Sequence, residues 1–284
     1  RGLGDVYKRQ AYNYIEIGTM FPQSGGMSNY AQYTHGSLLG FIAAWANWVS
    51  LVTIIPIEAV SAVQYMSSWP WEWAKPMGAL MKDGSISTIG LFAVYVIIAI
   101  FSLLNYWSVK LLTSFTSLIS VFKLGVPLLT IIMLMISGFD TNNYGHSASA
   151  FMPYGSAPIF AATTTSGIIF SFNAFQTIIN MGSEIKNPEK NIARGIAISL
   201  TLSAILYIVL QSTFITSMPS SMIHEHGWNG INFNSPFADM AILLGINWLA
   251  ILLYVEAVVS PFGTGVSFVA VTGRVLRAME KNGH

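Results

Sequence analysis

Long stretches without a charged residue dominate this chain. Residues 36–57, 84–109, 141–183 and 195–224 contain no Asp, Glu, Lys or Arg. A helix needs about 20 apolar residues to cross the hydrocarbon core of a bilayer, and in lipid its backbone polar groups must be paired within the segment. The runs predict membrane-spanning helices, because a membrane β-barrel would instead show alternating segments of about ten residues.

Composition supports an all-α integral membrane protein. Charged residues make up 9% of the 284 residues, against about 25% in soluble domains, so lipid must be the main solvent of the chain. The net charge of +1 gives no support for a nucleic-acid partner. The predicted spans lie at about residues 11–21 (the end of a helix), 38–67, 87–107, 112–138, 160–182, 193–216 and 237–270.

The distribution of basic residues predicts the orientation of these spans. Lys110, the basic residues of 186–194 and those of 274–281 lie at alternate connections, whereas 139–159 and 217–236 contain no Lys or Arg. Cytoplasmic loops carry the excess of Lys and Arg in membrane proteins. We therefore expect a multi-pass protein of the cytoplasmic membrane, with the basic connections inside.

Three stretches of the chain, in this order, resemble the amino acid–polyamine–organocation (APC) permeases. Residues 16–26 (EIGTMFPQSGG) are similar to the inner end of the family's helix 2. Residues 170–196, which contain GSEIKNPEKNIAR, are similar to helix 6 and its cytoplasmic exit. Residues 273–283 (GRVLRAMEKNG) are similar to the inner end of helix 8, although Arg277 stands where the family usually has Tyr.

The resemblance implies a partial leucine-transporter-like helical bundle of inverted repeats. It covers residues 11–284, which we interpret as an incomplete transport domain holding helices 2 (partial) to 8. Residues 1–10 carry several charges directly before an apolar helix, and we interpret them as a non-native or artefactual N-terminal segment.

The function implied by the resemblance is secondary active transport of an amino acid by alternating access, coupled to protons. The helix 3 sequence around Glu58 is similar to bacterial aspartate/glutamate proton symporters, which favours acidic amino acids over neutral ones. An amino acid or polyamine exchanger, or a non-transporting receptor-like member of the same fold, remains open. An enzyme is disfavoured because the spans contain no His or Cys. No cofactor or metal is expected, and the chain lacks the GxxxxGK[ST] pattern of ATP-driven systems.

A mixed aromatic and polar segment in the predicted span 160–182 is the candidate substrate site. Transporters of this kind bind substrate near the midplane, where broken helices leave backbone groups free. The segment matches the family's unwound part of helix 6, and two residues of helix 3 match the face that lines the family's cavity. An unbroken helix with bonded Asn and Gln is the alternative. The implied substrate-binding residues are Phe170, Ser171, Phe172, Asn173, Ala174, Phe175, Gln176, Ala44 and Asn47.

Three ionisable residues within the spans are candidates for proton coupling. Lys123 lies in the run 111–139, and a charge at that depth costs about 2.5–3.5 kcal/mol on insertion scales. The resemblance implies that its ammonium group replaces a sodium ion between helices 1, 5 and 8, whereas a side chain that snorkels to the interface is the alternative. Glu58 and Glu256 are also too costly to bury without a partner or a polar cavity, so each is expected to relay protons, bind a cation or pair with Lys123.

Overall fold

Helices dominate the computed structural model, which describes residues 3–107, 109–164, 168, 170–172, 174–233 and 235–284. The α-helices are α1 (Leu3–Met20), α2 (Met27–His35), α3 (Ser37–Val52), α4 (Ile54–Ser67), α5 (Thr88–Trp107), α6 (Val109–Ser137), α7 (Ala148–Phe151), α8 (Ala157–Thr164), α9 (Pro188–Ser217), α10 (Ser220–Gly230), α11 (Pro236–Leu243) and α12 (Asn247–Lys281). Short 3-10 helices lie at Glu72–Leu80, Thr141–Tyr144, Phe170–Phe172, Phe175–Asn180 and Gly182–Glu184, and two short strands, β1 (Met81–Lys82) and β2 (Ser85–Ile86), form a hairpin.

Five segments of the described chain are long and apolar enough to cross a membrane, and they confirm the all-α membrane class. They are Ser37–Ser67, Thr88–Tyr106, Ser114–Ser137, Pro188–Ser217 and Asn247–Lys281. Many of their large apolar side chains are exposed, as expected of surfaces that face lipid.

Besides the span 160–182, two of the expected spans are each divided between two helices of the described structure. The first, 38–67, consists of α3 and α4, which meet at Thr53; Pro56 follows the junction and has no N–H to bond the carbonyl one turn back. The last, 237–270, is divided because Gly245 has a φ of 76°, a conformation that ends α11 and that hydropathy does not detect. The second piece, α12, then continues to Lys281.

The core is organised around α12, which packs against α3, α4, α5, α6 and α11. Two glycines of α12 permit close approaches to α5 and α6. A Cβ on Gly265 would lie 2.2 Å from Cε2 of the buried Phe101 in α5, and one on Gly263 would lie 2.5 Å from Cγ2 of Ile119 in α6. Small residues at such contacts let membrane helices approach each other closely, and here they set the position of α12.

Candidate functional site

The expected span 160–182 is not a continuous helix. α8 ends at Thr164, and the described residues from Phe170 to Glu184 form short 3-10 helices before α9 begins at Pro188. Ala174 has φ 74° and ψ 0°, a left-handed conformation that costs a non-glycine residue about 1–2 kcal/mol. Backbone groups in such a break lack α-helical partners, which is the property that a midplane ligand site requires.

A cavity of about 360 Å³ lies between this broken segment and α9. Of the predicted substrate residues, Ser171, Phe172, Ala174 and Phe175 line it, whereas Gln176 is not among its described lining residues. Asn173 and the side chain of Phe170 lie outside the described residues. The volume falls within the range of about 300–1,000 Å³ that small-molecule sites occupy.

The two predicted helix 3 residues lie elsewhere in the described structure. Ala44 is fully buried in the core between α3, α4, α5 and α12. Asn47 donates from Nδ2 to Oδ1 of Asn180 over 3.3 Å, which ties α3 to the broken segment. Asn180 is also fully buried, and its own Nδ2 has no partner in the described structure.

Lys123 lies on α6 and points toward α12. Its Nζ donates to Oγ1 of Thr264 over 2.5 Å, and the side chain is half-buried. The hydroxyl lies between Gly263 and Gly265, the two glycines that allow α12 to approach its neighbours. The side chain is thus held inside the helix bundle by a polar partner.

The two carboxylates of the spans accompany Lys123. Glu58 and Glu256 are half-buried, and both interact electrostatically with Lys123. Neither forms a direct ion pair with it, since the ion pairs of the described residues involve other groups. Ser260, one turn along α12, hydrogen-bonds to Glu256. The arrangement is a loose cluster of one cation and two carboxylates on α4, α6 and α12.

The three stretches that carry the family resemblance meet at one end of the bundle. The hydroxyls of Ser24 and Ser183 are hydrogen-bonded. Arg274 donates from Nη2 to Oε2 of Glu184 over 2.7 Å and from Nε to Oε1. These hydrogen bonds, and then the guanidinium charge, lower the pKa of Glu184 from its ordinary value. Gly25, with φ 95°, lies so close to Ala278 that an added Cβ would be 2.1 Å from the alanine Cβ.

Sequence reasoning missed several of these polar contacts. Asn180 was not singled out, although it lies within the family-like stretch 170–196, and its burial is visible only in three dimensions. Thr264 carries a weak signal, because it is a polar residue between two glycines in an apolar helix. Ser199 and Ser203 of α9, which line the cavity, resemble ordinary serines of a membrane span and carry no signal.

The sequence of the chain is similar to a known protein family and to characterised transporters. A family model of amino acid permeases matches residues 9–284. The chain is 50% identical to the glutamate/serine transporter AimA of Bacillus subtilis over 272 residues, which cover 96% of this chain and 50% of that protein. It is 36% identical to the aspartate-proton symporter of the same organism over 274 residues, covering 95% of this chain and 51% of the symporter.

A more distant relative is the methylthioribose transporter of Bacillus subtilis, which is 25% identical over 277 residues, covering 96% of this chain and 57% of that protein. The chain thus spans about half the length of AimA and of the aspartate-proton symporter. All three relatives are named as transporters, none as an enzyme.

Proposed function

The chain belongs to the amino acid permease family, and from this premise we propose that the full-length protein takes up an amino acid by proton-coupled symport. The chain is a multi-pass protein of the cell membrane with a leucine-transporter-like helical fold, and it is a transporter-family protein rather than an enzyme. We propose acidic amino acids as the first substrate class and small neutral ones as the second, which agrees with relatives named for glutamate, serine and aspartate.

The hydrogen bond between Lys123 and Thr264 is the observation that carries the coupling proposal. A protonated amine bridges α6 and α12 beside Gly263, where an added Cβ would lie 2.5 Å from Cγ2 of Ile119 in α6. Loss of the proton would remove the charge that attracts Glu58 and Glu256. Proton binding and release at Lys123 would then change how tightly α12 is held, while substrate occupies the break next to α9.

Alternating access follows from this division of roles. The broken segment binds substrate, and the polar contacts at its inner end, Glu184 with Arg274 and Ser24 with Ser183, hold the cytoplasmic side closed. Opening to the cytoplasm requires those contacts to separate. Loss of the proton from Lys123 would weaken the attachment of α12 and favour the separation, because Arg274 lies on the same helix as Thr264.

The test is uptake by the full-length protein in proteoliposomes with an imposed proton gradient. Lys123→Ala should abolish accumulation driven by the gradient and leave exchange of internal for external substrate. Lys82→Ala, which removes an exposed lysine of the hairpin, is the matched control and should behave as the unchanged protein. Accumulation by the Lys123→Ala variant with its pH dependence intact would refute the coupling role.

A second outcome distinguishes symport from exchange. If the unchanged protein exchanges substrate across the membrane but does not accumulate it when a proton gradient is imposed, the protein is an exchanger. If it neither binds nor moves any amino acid, the transport proposal itself fails.

A further inference from the structure

The α9 wall of the cavity has features that the proposed function does not use. Ser199 and Ser203 lie one turn apart on the same face of α9 and line the cavity opposite the broken segment, together with Gly195. Tyr207, one turn further along α9, donates its hydroxyl to the backbone oxygen of Ser171 over 3.4 Å, and its ring packs edge-on against Phe172 with centroids 5.4 Å apart.

Ser203 differs from three serines of the spanning helices α5, α6 and α12. Ser102, Ser120 and Ser267 each donate to the backbone carbonyl one turn earlier, over 3.0, 2.7 and 2.8 Å. Such a bond satisfies a hydroxyl that would otherwise be unpaired in lipid. Ser203 has no hydrogen-bond partner within the described structure, although it is half-buried. Its O–H is therefore an available donor beside the cavity.

Two further hydroxyls beside the cavity, Thr177 of the broken segment and Ser199 of α9, already donate to the backbone. Thr177 Oγ1 donates to the carbonyl of Ala174 over 2.7 Å, and Ser199 Oγ donates to the carbonyl of Ile196 over 3.1 Å. A hydroxyl that donates in this way still has lone pairs that accept. The three side chains Thr177, Ser199 and Ser203, which we term the hydroxyl wall, thus offer one available donor and several acceptors.

We infer that the hydroxyl wall recognises the side chain of a small hydroxyl-bearing amino acid, with Ser203 as a specificity-determining residue. A substrate hydroxyl accepts from Ser203 and donates to an oxygen of Ser199 or Thr177, so that its donor and its acceptor are both satisfied. The inference rests on the proposed function, and it assigns the side chain of the substrate to the space between the broken segment and α9.

The hydrogen-bond donors and acceptors of the hydroxyl wall also determine which substrate side chains it disfavours. The described lining residues include no carboxylate, so a cationic amino acid or a polyamine would lose its hydration without gaining an ion pair. An ionised carboxylate only accepts, so it can use the single available donor of Ser203, because the Thr177 and Ser199 hydroxyls already donate to the backbone. A carboxyl group matches the wall once it is protonated, because it then carries one O–H donor.

The test compares serine with alanine, which differ by one hydroxyl group, as substrates of the full-length protein in proteoliposomes. Ser203→Ala should lower the ratio of serine to alanine kcat/KM by roughly three- to tenfold, the effect of one neutral hydrogen bond. Ser203→Thr keeps the hydroxyl and should retain most of the ratio. Ser102→Ala, which removes a serine of α5 that is not among the described lining residues of the cavity, should leave the ratio unchanged.

The outcomes separate this inference from the proposed function. Uptake of glutamate and serine by the unchanged protein, with an unaltered serine-to-alanine ratio in Ser203→Ala, would overturn the role of Ser203 and leave the transport function in place. Absence of uptake of every amino acid by the unchanged protein would overturn both. If Ser203→Ala folds poorly, the test uses Ser203→Thr and Ser203→Cys instead. An unchanged ratio of serine to alanine kcat/KM in Ser203→Cys would then contradict the inference.

Discussion

Replacement of Gly263 by alanine should separate α12 from α6 near Lys123. The added Cβ would lie 2.5 Å from Cγ2 and 3.3 Å from Cβ of Ile119, whereas carbon atoms in good contact are about 3.5–4.0 Å apart. The helices must therefore move apart by about 1 Å, or Ile119 must leave its rotamer. Ile119 precedes Lys123 by one turn, so the displacement falls on the Lys123–Thr264 contact.

The expected cost follows from packing. Insertion of an extra methyl group into a filled contact destabilises the fold by about 1–3 kcal/mol. Replacement of Gly by Ala within a helix stabilises it by about 0.8–1.0 kcal/mol, because alanine has the higher helix propensity. Gly273 is the matched control because it lies on the same helix and an added Cβ there meets nothing within 4 Å. The propensity gain is common to both variants, so Gly263→Ala should be less stable than Gly273→Ala by about 1–3 kcal/mol.

The measurement is thermal unfolding of the purified full-length protein, followed by uptake driven by a proton gradient. We expect a Tm for Gly263→Ala about 2–6 °C below that of Gly273→Ala, with weaker coupled uptake. Ile119→Ala removes the clashing methyl group, so the double variant should lose less than the sum of the single variants. Equal Tm and equal coupling in the two glycine variants would refute the argument that Gly263 sets the position of Thr264.

Two further predictions concern the inner closure and the broken segment. Glu184→Gln should destabilise the inward-closed state by about 0.5–1 kcal/mol, a surface ion-pair value because the carboxylate side chain is 45% exposed. Arg274 lowers the pKa of Glu184, so the ion pair is intact at neutral pH and is lost as the pH falls through that lowered pKa. The Tm measured between pH 7 and pH 3 should show this loss of stability in the unchanged protein and not in Glu184→Gln. Ala174→Val should reduce uptake and stability, because a β-branched residue tolerates φ 74° poorly, whereas Ala174→Gly should preserve uptake; equal uptake by both variants would contradict the left-handed assignment.

The sequence alone was sufficient for the membrane class, most of the helix positions and the family. Charge-free runs longer than the bilayer core leave few alternatives to membrane helices, and the family model and relatives confirm the resemblance. The break near Ala174 was expected from the resemblance to the family's unwound helix 6, whereas the residues alone left an unbroken helix as the alternative. Each of these is a local property that the order of residues encodes.

Only the tertiary structure decided which side chains meet. Lys123 and Thr264 are separated by 141 positions, and Glu184 and Arg274 by 90, so no local pattern pairs them. The division of the span 237–270 depended on the φ of Gly245, which hydropathy does not detect. The role of Ser203 depended on the packing of α9, which left its hydroxyl beside a cavity and without a described partner, whereas Ser102 and Ser120 bond to their own helices.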